Sequence, residues 1–274
     1  MSTNTALASE PRLAAPPADA AALVDWMLDR ISSELEDTRL SEGARGLLRA
    51  YYYEAGLLDP AKRPFFDRHF REAMRFGLTE VMANGPRRVL DLGSGLGTQS
   101  FIFALLGADV VALDLDRAAL DALEERKALL EADTGRSLSI QVVCADAFDW
   151  LEAPGETFDA AYSLFAFNMM LPTSRLVKAL AGRTAAGGVV VIQDGNNRNL
   201  FKRVLEPRPD TLSKAELAAC FGANGFAHAF SKPAVAVPPP LWRILPGGLV
   251  RALDGATRPL PMLALSYVHG FRRP

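Results

Sequence analysis

The chain has 274 residues, 49% of them apolar, and a formal net charge of -2 at pH 7. That is material for one α/β domain with an appendage, and it gives no global excess of cations to suggest a nucleic-acid partner. Two cysteines, Cys144 and Cys220, lie far apart in apolar stretches, so they read as small core residues of a reducing compartment, without metal-ligand spacing.

Residues 1–18 are rich in Ala, Pro and small polar residues and are expected to be a disordered tail. They lack a basic segment followed by a long apolar one, so no secretory leader is expected. No apolar run approaches bilayer length, and a cytoplasmic location follows as an expectation. Asp19 is placed to cap a helix whose Leu23, Val24, Met27, Leu28, Ile31 and Leu35 form one apolar stripe. A second helix starts near Glu42, carries Ala44, Leu47, Leu48, Tyr51, Tyr52 and Ala55 at the same period, and ends at Gly56. Pro64 opens a third, with Phe65, Phe66, His69, Phe70, Ala73, Met74, Leu78, Val81 and Met82.

The stretch from Arg88 to Asp116 organises the rest. Arg88 to Leu92 reads as a buried strand, and Gly93, Gly95 and Gly97 as a tight turn where backbone passes close to a ligand. Thr98 to Leu106 is a short apolar helix stopped by Gly107, and Val110 to Leu113 a second strand closed by Asp114. Strand, turn, helix and strand make the first half of a doubly wound sheet, with its ligand site at the carboxyl ends of the strands. A dinucleotide fingerprint needs a third glycine at position 98, which is Thr. An acid, Asp91, instead precedes the glycines, where it suits a cationic ligand better than a pyrophosphate. Asp114 can accept two hydrogen bonds from ribose hydroxyls.

This Asp91-x-Gly93-x-Gly95-x-Gly97 turn, followed by Asp114, resembles motif I and the acidic strand end of the Rossmann-like (class I) S-adenosylmethionine-dependent methyltransferases. The resemblance implies a doubly wound seven-stranded α/β sheet with an antiparallel last strand. It implies that Asp91 and the three glycines surround the methionine part of S-adenosylmethionine, that Asp114 and Leu115 hold the ribose end, and that S-adenosylhomocysteine is the product. Residues 19–84 would form a helical cap over the cofactor mouth and 85–274 the Rossmann-like domain.

Arg117 to Glu131 reads as a helix with Leu120, Leu123 and Leu130 inward and a charged outer face. Ser139 to Cys144 is the third strand, ending at Ala145-Asp146-Ala147; the resemblance gives Asp146 and Ala147 the adenine, while Asp146 as a helix N-cap fits the residues equally. Phe158 to Leu164 matches the family's fourth strand, which brings Ser163 to the cofactor. The following Phe167-Asn168-Met169-Met170 makes Asn168 a candidate to orient an acceptor, with a purely structural asparagine as the alternative. Leu176 to Leu180 is a helix, Gly187-Gly188 a turn and Val189 to Gln193 a fifth strand. The loop of Asp194, Asn196, Asn197 and Asn199 is dense in hydrogen-bonding groups at a strand end, so Asp194, Asn196 and Asn197 are candidates for substrate binding.

Ser213 to Glu216 is a capping box, Phe226 to Val237 a strand interrupted by Pro233, and Met262 to Phe271 the last strand. The intervening 238–261 insertion mixes Leu241, Trp242, Ile244, Leu245, Leu249, Val250 and Leu253 with Arg243, Arg251 and Arg258. Its 241–253 part suits peripheral membrane contact or a greasy substrate, and equally a helix packed on the sheet edge or on a second copy in a homo-oligomer.

The chemistry expected is methyl transfer to an O or N nucleophile of a small molecule, hydrophobic or linked to lipid or glycan. Of the three histidines, His69 flanks the cofactor mouth and is the candidate base, with a satisfied core histidine as the alternative; Tyr52 is a candidate pocket wall. No Asn-Pro-Pro-Tyr-like segment follows the fourth strand, and no metal is implied. The competing functions are a non-catalytic nucleoside-binding module and an NAD-dependent oxidoreductase, the latter disfavoured by Thr98.

Overall fold

The computed structural model describes residues 15–196, 198–200, 212–260 and 262–274. The disordered-tail expectation therefore lies, for residues 1–14, outside the described residues. Helix α1 (Ala20–Glu34) starts where the Asp19 carboxylate accepts from Ala22 N at 2.9 Å. Its Leu23, Val24, Met27, Leu28 and Ile31 are wholly buried. Helix α2 (Glu42–Ala55) is capped by Ser41 and stopped by Gly56 at φ +100°, a conformation that costs a residue with a side chain about 1–2 kcal/mol. The third helix is one rod in three pieces: α3 (Arg63–Phe66), a π-helical turn (Asp67–Arg71) and α4 (Glu72–Met82).

Seven strands follow: β1 (Arg88–Leu92), β2 (Asp109–Asp114), β3 (Ile140–Cys144), β4 (Phe158–Leu164), β5 (Thr184–Gly195), β6 (Ala227–Val235) and β7 (Ser266–Arg272). Their order is β3-β2-β1-β4-β5-β7-β6, with β1 to β5 parallel and β7 antiparallel to both neighbours. Because five neighbouring strands run the same way, all their carboxyl ends emerge on one edge. Helices α5 (Thr98–Leu105) and α6 (Arg117–Thr134) share one core with α1, α2, α4 and residues such as Val89, Tyr162 and Val191. Helices α7 (Ala147–Glu152), α8 (Thr173–Arg183) and α9 (Lys214–Ala223) cover the other face, against Leu90, Val111 and Phe271. The 238–261 insertion holds α10 (Pro239–Ile244) and α11 (Gly247–Thr257).

Several boundaries differ from those expected. Strand β5 begins at Thr184 and runs through Gly187-Gly188, since Phe158 pairs with Thr184 before the register shifts. Strand β7 begins at Ser266, because the carbonyls of Met262 to Ala264 accept from the loop after β5. Cys144 is exposed at the end of β3 rather than in a core, and Cys220 is half-buried. Among the described residues no helix is long and apolar enough to cross a membrane.

Candidate functional site

The glycine turn joins β1 to α5. Gly93 N and Ser94 N both donate to Leu113 O, at 2.8 and 3.1 Å, which folds the turn over the end of β2. All three glycines have positive φ, but the reasons differ. A Cβ on Gly93 would lie 2.3 Å from Ala166 Cβ, and one on Gly97 2.4 Å from Leu123 Cγ. A Cβ on Gly95 would meet nothing within 4 Å. The protein's own packing thus demands two of the glycines, while Gly95 presents bare backbone to open space. Asp114 holds the turn: its Oδ2 accepts from Gly95 N at 2.8 Å and its Oδ1 from Asp116 N at 2.9 Å. Each carboxylate oxygen keeps a further lone pair for a ligand hydroxyl.

Asp91 is wholly buried, and the Ser100 hydroxyl donates to its Oδ2. Its Oδ1 has no partner among the described residues, and neither do the buried hydroxyls of Ser94 and Ser163. Burial pushes the Asp91 carboxyl up to about 7; the Ser100 hydrogen bond opposes this and the Asp114 charge adds to it. A buried carboxylate oxygen without a donor is costly, and a cationic donor is the group that would relieve it. Tyr51 hangs over the same place from α2. Its ring is 41% exposed, yet its hydroxyl is pushed well up by enclosure and then by Tyr52, Asp91 and Asp114.

Tyr52 is buried and its hydroxyl lies 2.5 Å from Thr98 Oγ1, so it ties α2 to the turn. Thr98 Oγ1 also accepts from Arg126 at 3.1 Å, and the same guanidinium donates to Leu96 O within the turn. Arg126 has no exposure, pairs with Glu34 of α1 at 2.7 Å, and Glu34 pairs with Arg30 at 3.0 Å. The helix α6 therefore keeps the expected charged outer face at Arg117, Asp121 and Glu124 and buries one cation, Arg126, on its inward face. Helical spacing held the signal: Arg126 stands three residues after Leu123 and four before Leu130, on the apolar stripe.

At the end of β3, Asp146 Oδ1 accepts from Phe148 N at 2.8 Å and Asp149 N at 3.2 Å, which makes it the N-cap of α7. Ala147 is buried beside it, and Leu115, at the end of β2, is 70% exposed.

The ends of β4 and β5 are laced together. Asn168 N donates to Asp194 Oδ2 at 2.8 Å, Asn168 Nδ2 to Gly195 O at 3.0 Å, and Gly195 N to Asp194 Oδ1 at 2.6 Å. Asn196 Nδ2 donates to Ala264 O at 2.7 Å, and Asn199 Nδ2 to Leu263 O at 2.7 Å. The side chains of Asn168, Asp194 and Asn196, expected to meet a substrate, are here engaged in holding loops. Asn197 lies outside the described residues.

His69 sits in the π-helical turn. Its Nδ1 is 2.9 Å from Ser266 Oγ, and its ring centroid lies 5.0 Å from Phe65 and 5.1 Å from Phe165. A π turn leaves a carbonyl without its usual helical partner, and Gln193 Nε2 reaches His69 O at 3.5 Å. Phe165 directly follows β4 with φ +55°, a strained value for an aromatic residue. It is held by its N–H to Gln193 O at 2.8 Å and by Phe70, 5.8 Å away. Phe165 and Ser266 were not singled out by the sequence, where neither belongs to a motif.

Residues 90–192 match a family model described as a methyltransferase domain. The trans-aconitate 2-methyltransferase of Paracidovorax citrulli is 30% identical over 138 residues, covering 50% of this chain and 49% of that protein. The ribosomal RNA small subunit methyltransferase A of Cutibacterium acnes is 27% identical over 153 residues, 50% and 51% of the two chains. The chain thus spans about half the length of these curated relatives. In fold it is similar to an S-adenosylmethionine-dependent methyltransferase from Mesorhizobium loti, with TM-score 0.53, 20% identity, and coverage of 80% of this chain and all of that one.

Proposed function

We propose that this chain, whose residues 90–192 match a methyltransferase domain, is a class I S-adenosylmethionine-dependent methyltransferase that methylates an oxygen or nitrogen nucleophile of a small, largely apolar molecule. The observation that carries the cofactor half is the buried Asp91 Oδ1, without a donor, behind a turn whose Gly95 faces open space. These residues fit the cofactor's cationic amino-acid end. Asp91 takes the ammonium, with Ser94 and Ser163 beside it; Asp114 takes the ribose hydroxyls; Leu115, Asp146 and Ala147 border the adenine. The cofactor supplies a methyl group already activated on a sulfonium, so the protein's task is alignment, exclusion of water and proton removal.

On the acceptor side, residues 19–84 act as the cap of the 85–274 domain. Phe65, His69 and Phe165 form an aromatic wall at the end of β4, which supports an apolar acceptor. Ser266 fixes the His69 ring, and His69 is the base that takes the acceptor's proton. Asn168, Asp194 and Asn196 keep the strand ends in place, and Tyr52 keeps the cap on the turn. A cytoplasmic enzyme acting on a metabolite fits this arrangement.

The test is label transfer. The purified chain is incubated with methyl-labelled S-adenosylmethionine and fractionated small-molecule and lipid extracts. Label in the organic-soluble fraction is the expected result, and label confined to RNA or protein would overturn the acceptor class. No transfer to any fraction, with the cofactor bound, would favour a non-catalytic nucleoside-binding module.

A further inference from the structure

The insertion between β6 and β7 is seated firmly on one side only. Trp242 is buried and its indole N–H donates to Val237 O at 3.0 Å. Asp254 is buried, accepts from Ala236 N at 2.8 Å, and pairs with Arg68 at 2.9 Å and Arg258 at 3.2 Å. The inward face of α11 is Val250 and Asp254. Its other face carries Leu249, Ala252, Leu253 and Ala256, all exposed and spaced as one helical stripe. Leu249 is 50% exposed, and Ile244, at the end of α10, 73%. Leu260 and Met262 continue the exposed apolar surface.

The charge on this segment has one sign. Between residues 238 and 262 the sequence holds a single acid, Asp254, and three arginines. Asp254 is inside and paired with Arg258, which leaves Arg243 and Arg251 as the exposed charges of this segment.

We propose that this face docks on an anionic phospholipid surface. An exposed leucine stripe on a segment whose exposed charges are arginines is what an interfacial helix offers to headgroups and acyl chains. A second copy of the chain fits less well, because a two-fold contact through this face would bring Arg243 and Arg251 towards their own equivalents. The exposed apolar residues are aliphatic, without the Tyr or Trp anchors that centre most protein interfaces.

The packed side of the same insertion reaches the acceptor side. The Trp242 ring meets Phe65 edge-on at 6.3 Å, and Phe65 adjoins His69, which touches Phe165 at the end of β4. Resting on the function proposed above, membrane docking sets the aromatic wall beside the bilayer, and the acceptor is then an amphiphile taken from the lipid phase.

The test is co-sedimentation of the full chain with vesicles of phosphatidylcholine alone and of phosphatidylcholine mixed with phosphatidylglycerol. The chain is expected to pellet with the anionic vesicles and to be released by salt. Arg243→Gln with Arg251→Gln should lower partitioning about 30-fold. Leu249→Ser with Leu253→Ser should lower it at least about tenfold. S-adenosylhomocysteine affinity of both double variants should match the parent, which separates this proposal from the methyltransferase reading and shows that the variants fold. Absence of pelleting, equal pelleting of parent and variants, or a concentration-dependent dimer abolished by the leucine changes would overturn it.

Discussion

Replacing Asp91 with Asn separates a ligand-binding carboxylate from a structural one. In the folded chain burial raises Asp91 from an ordinary 3.8 to about 7. The folded state therefore holds a proton that the unfolded state has lost between those two values. Stability from this group falls as pH rises through that window and is lost in full above about 7. Three pH units correspond to roughly 4 kcal/mol. Asn has nearly the same shape, can still accept from Ser100, and carries no charge to bury. The unliganded Asp91→Asn variant should melt higher than the parent at pH 8, on the order of 5–10 °C for a chain of this size, and within a degree or two of it at pH 5. Its affinity for S-adenosylhomocysteine should fall by about 30- to 1,000-fold, the loss of a buried charge-assisted hydrogen bond. The parent's affinity should rise with pH, by at most about tenfold per unit, and level off above 7; the variant's should be flat. Scanning calorimetry and titration calorimetry across pH read both effects. A variant less stable than the parent at pH 8, or one that binds the ligand equally well, would refute the assignment.

Gly95→Val should reduce S-adenosylhomocysteine affinity at least about 100-fold by filling ligand space, at a stability cost of about 1–2 kcal/mol for its left-handed backbone; normal turnover would make the turn structural only. Asp114→Ala should cost about 2–4 kcal/mol of the same affinity, part of it because Gly95 N–H loses its acceptor, and an unchanged dissociation constant in a folded variant removes Asp114 from the site. Arg126→Met should cost roughly 3 kcal/mol in urea unfolding, since Glu34 keeps only Arg30 as a buried partner. It should also weaken ligand binding because Leu96 O and Thr98 lose their donor; adding Glu34→Gln should restore stability but not affinity, and wild-type unfolding of Arg126→Met contradicts the coupling of cap to turn.

The cofactor half was legible because it is written in local constraints. An acid, three alternating glycines and a second acid fall on two strand ends and the turn between them, and only a few backbone paths satisfy them. The acceptor half depends on contacts between distant residues. Asn196, a candidate for substrate binding, donates its amide to the Ala264 carbonyl, and its neighbour Asn199 donates to Leu263. Tyr51 and Tyr52 are adjacent, but about 100° of helical rotation separates them, so one overhangs Asp91 and the other is locked to Thr98. The π turn that carries His69 leaves no composition signal, since its freed carbonyl is met by Gln193 from β5.

Titration calorimetry of S-adenosylhomocysteine into the purified chain, beside NAD, tests the assigned cofactor site most directly. One-to-one binding of S-adenosylhomocysteine is expected, lost in Gly95→Val and weakened in Asp91→Asn, with no heat from NAD. Binding of NAD with none of S-adenosylhomocysteine would contradict it.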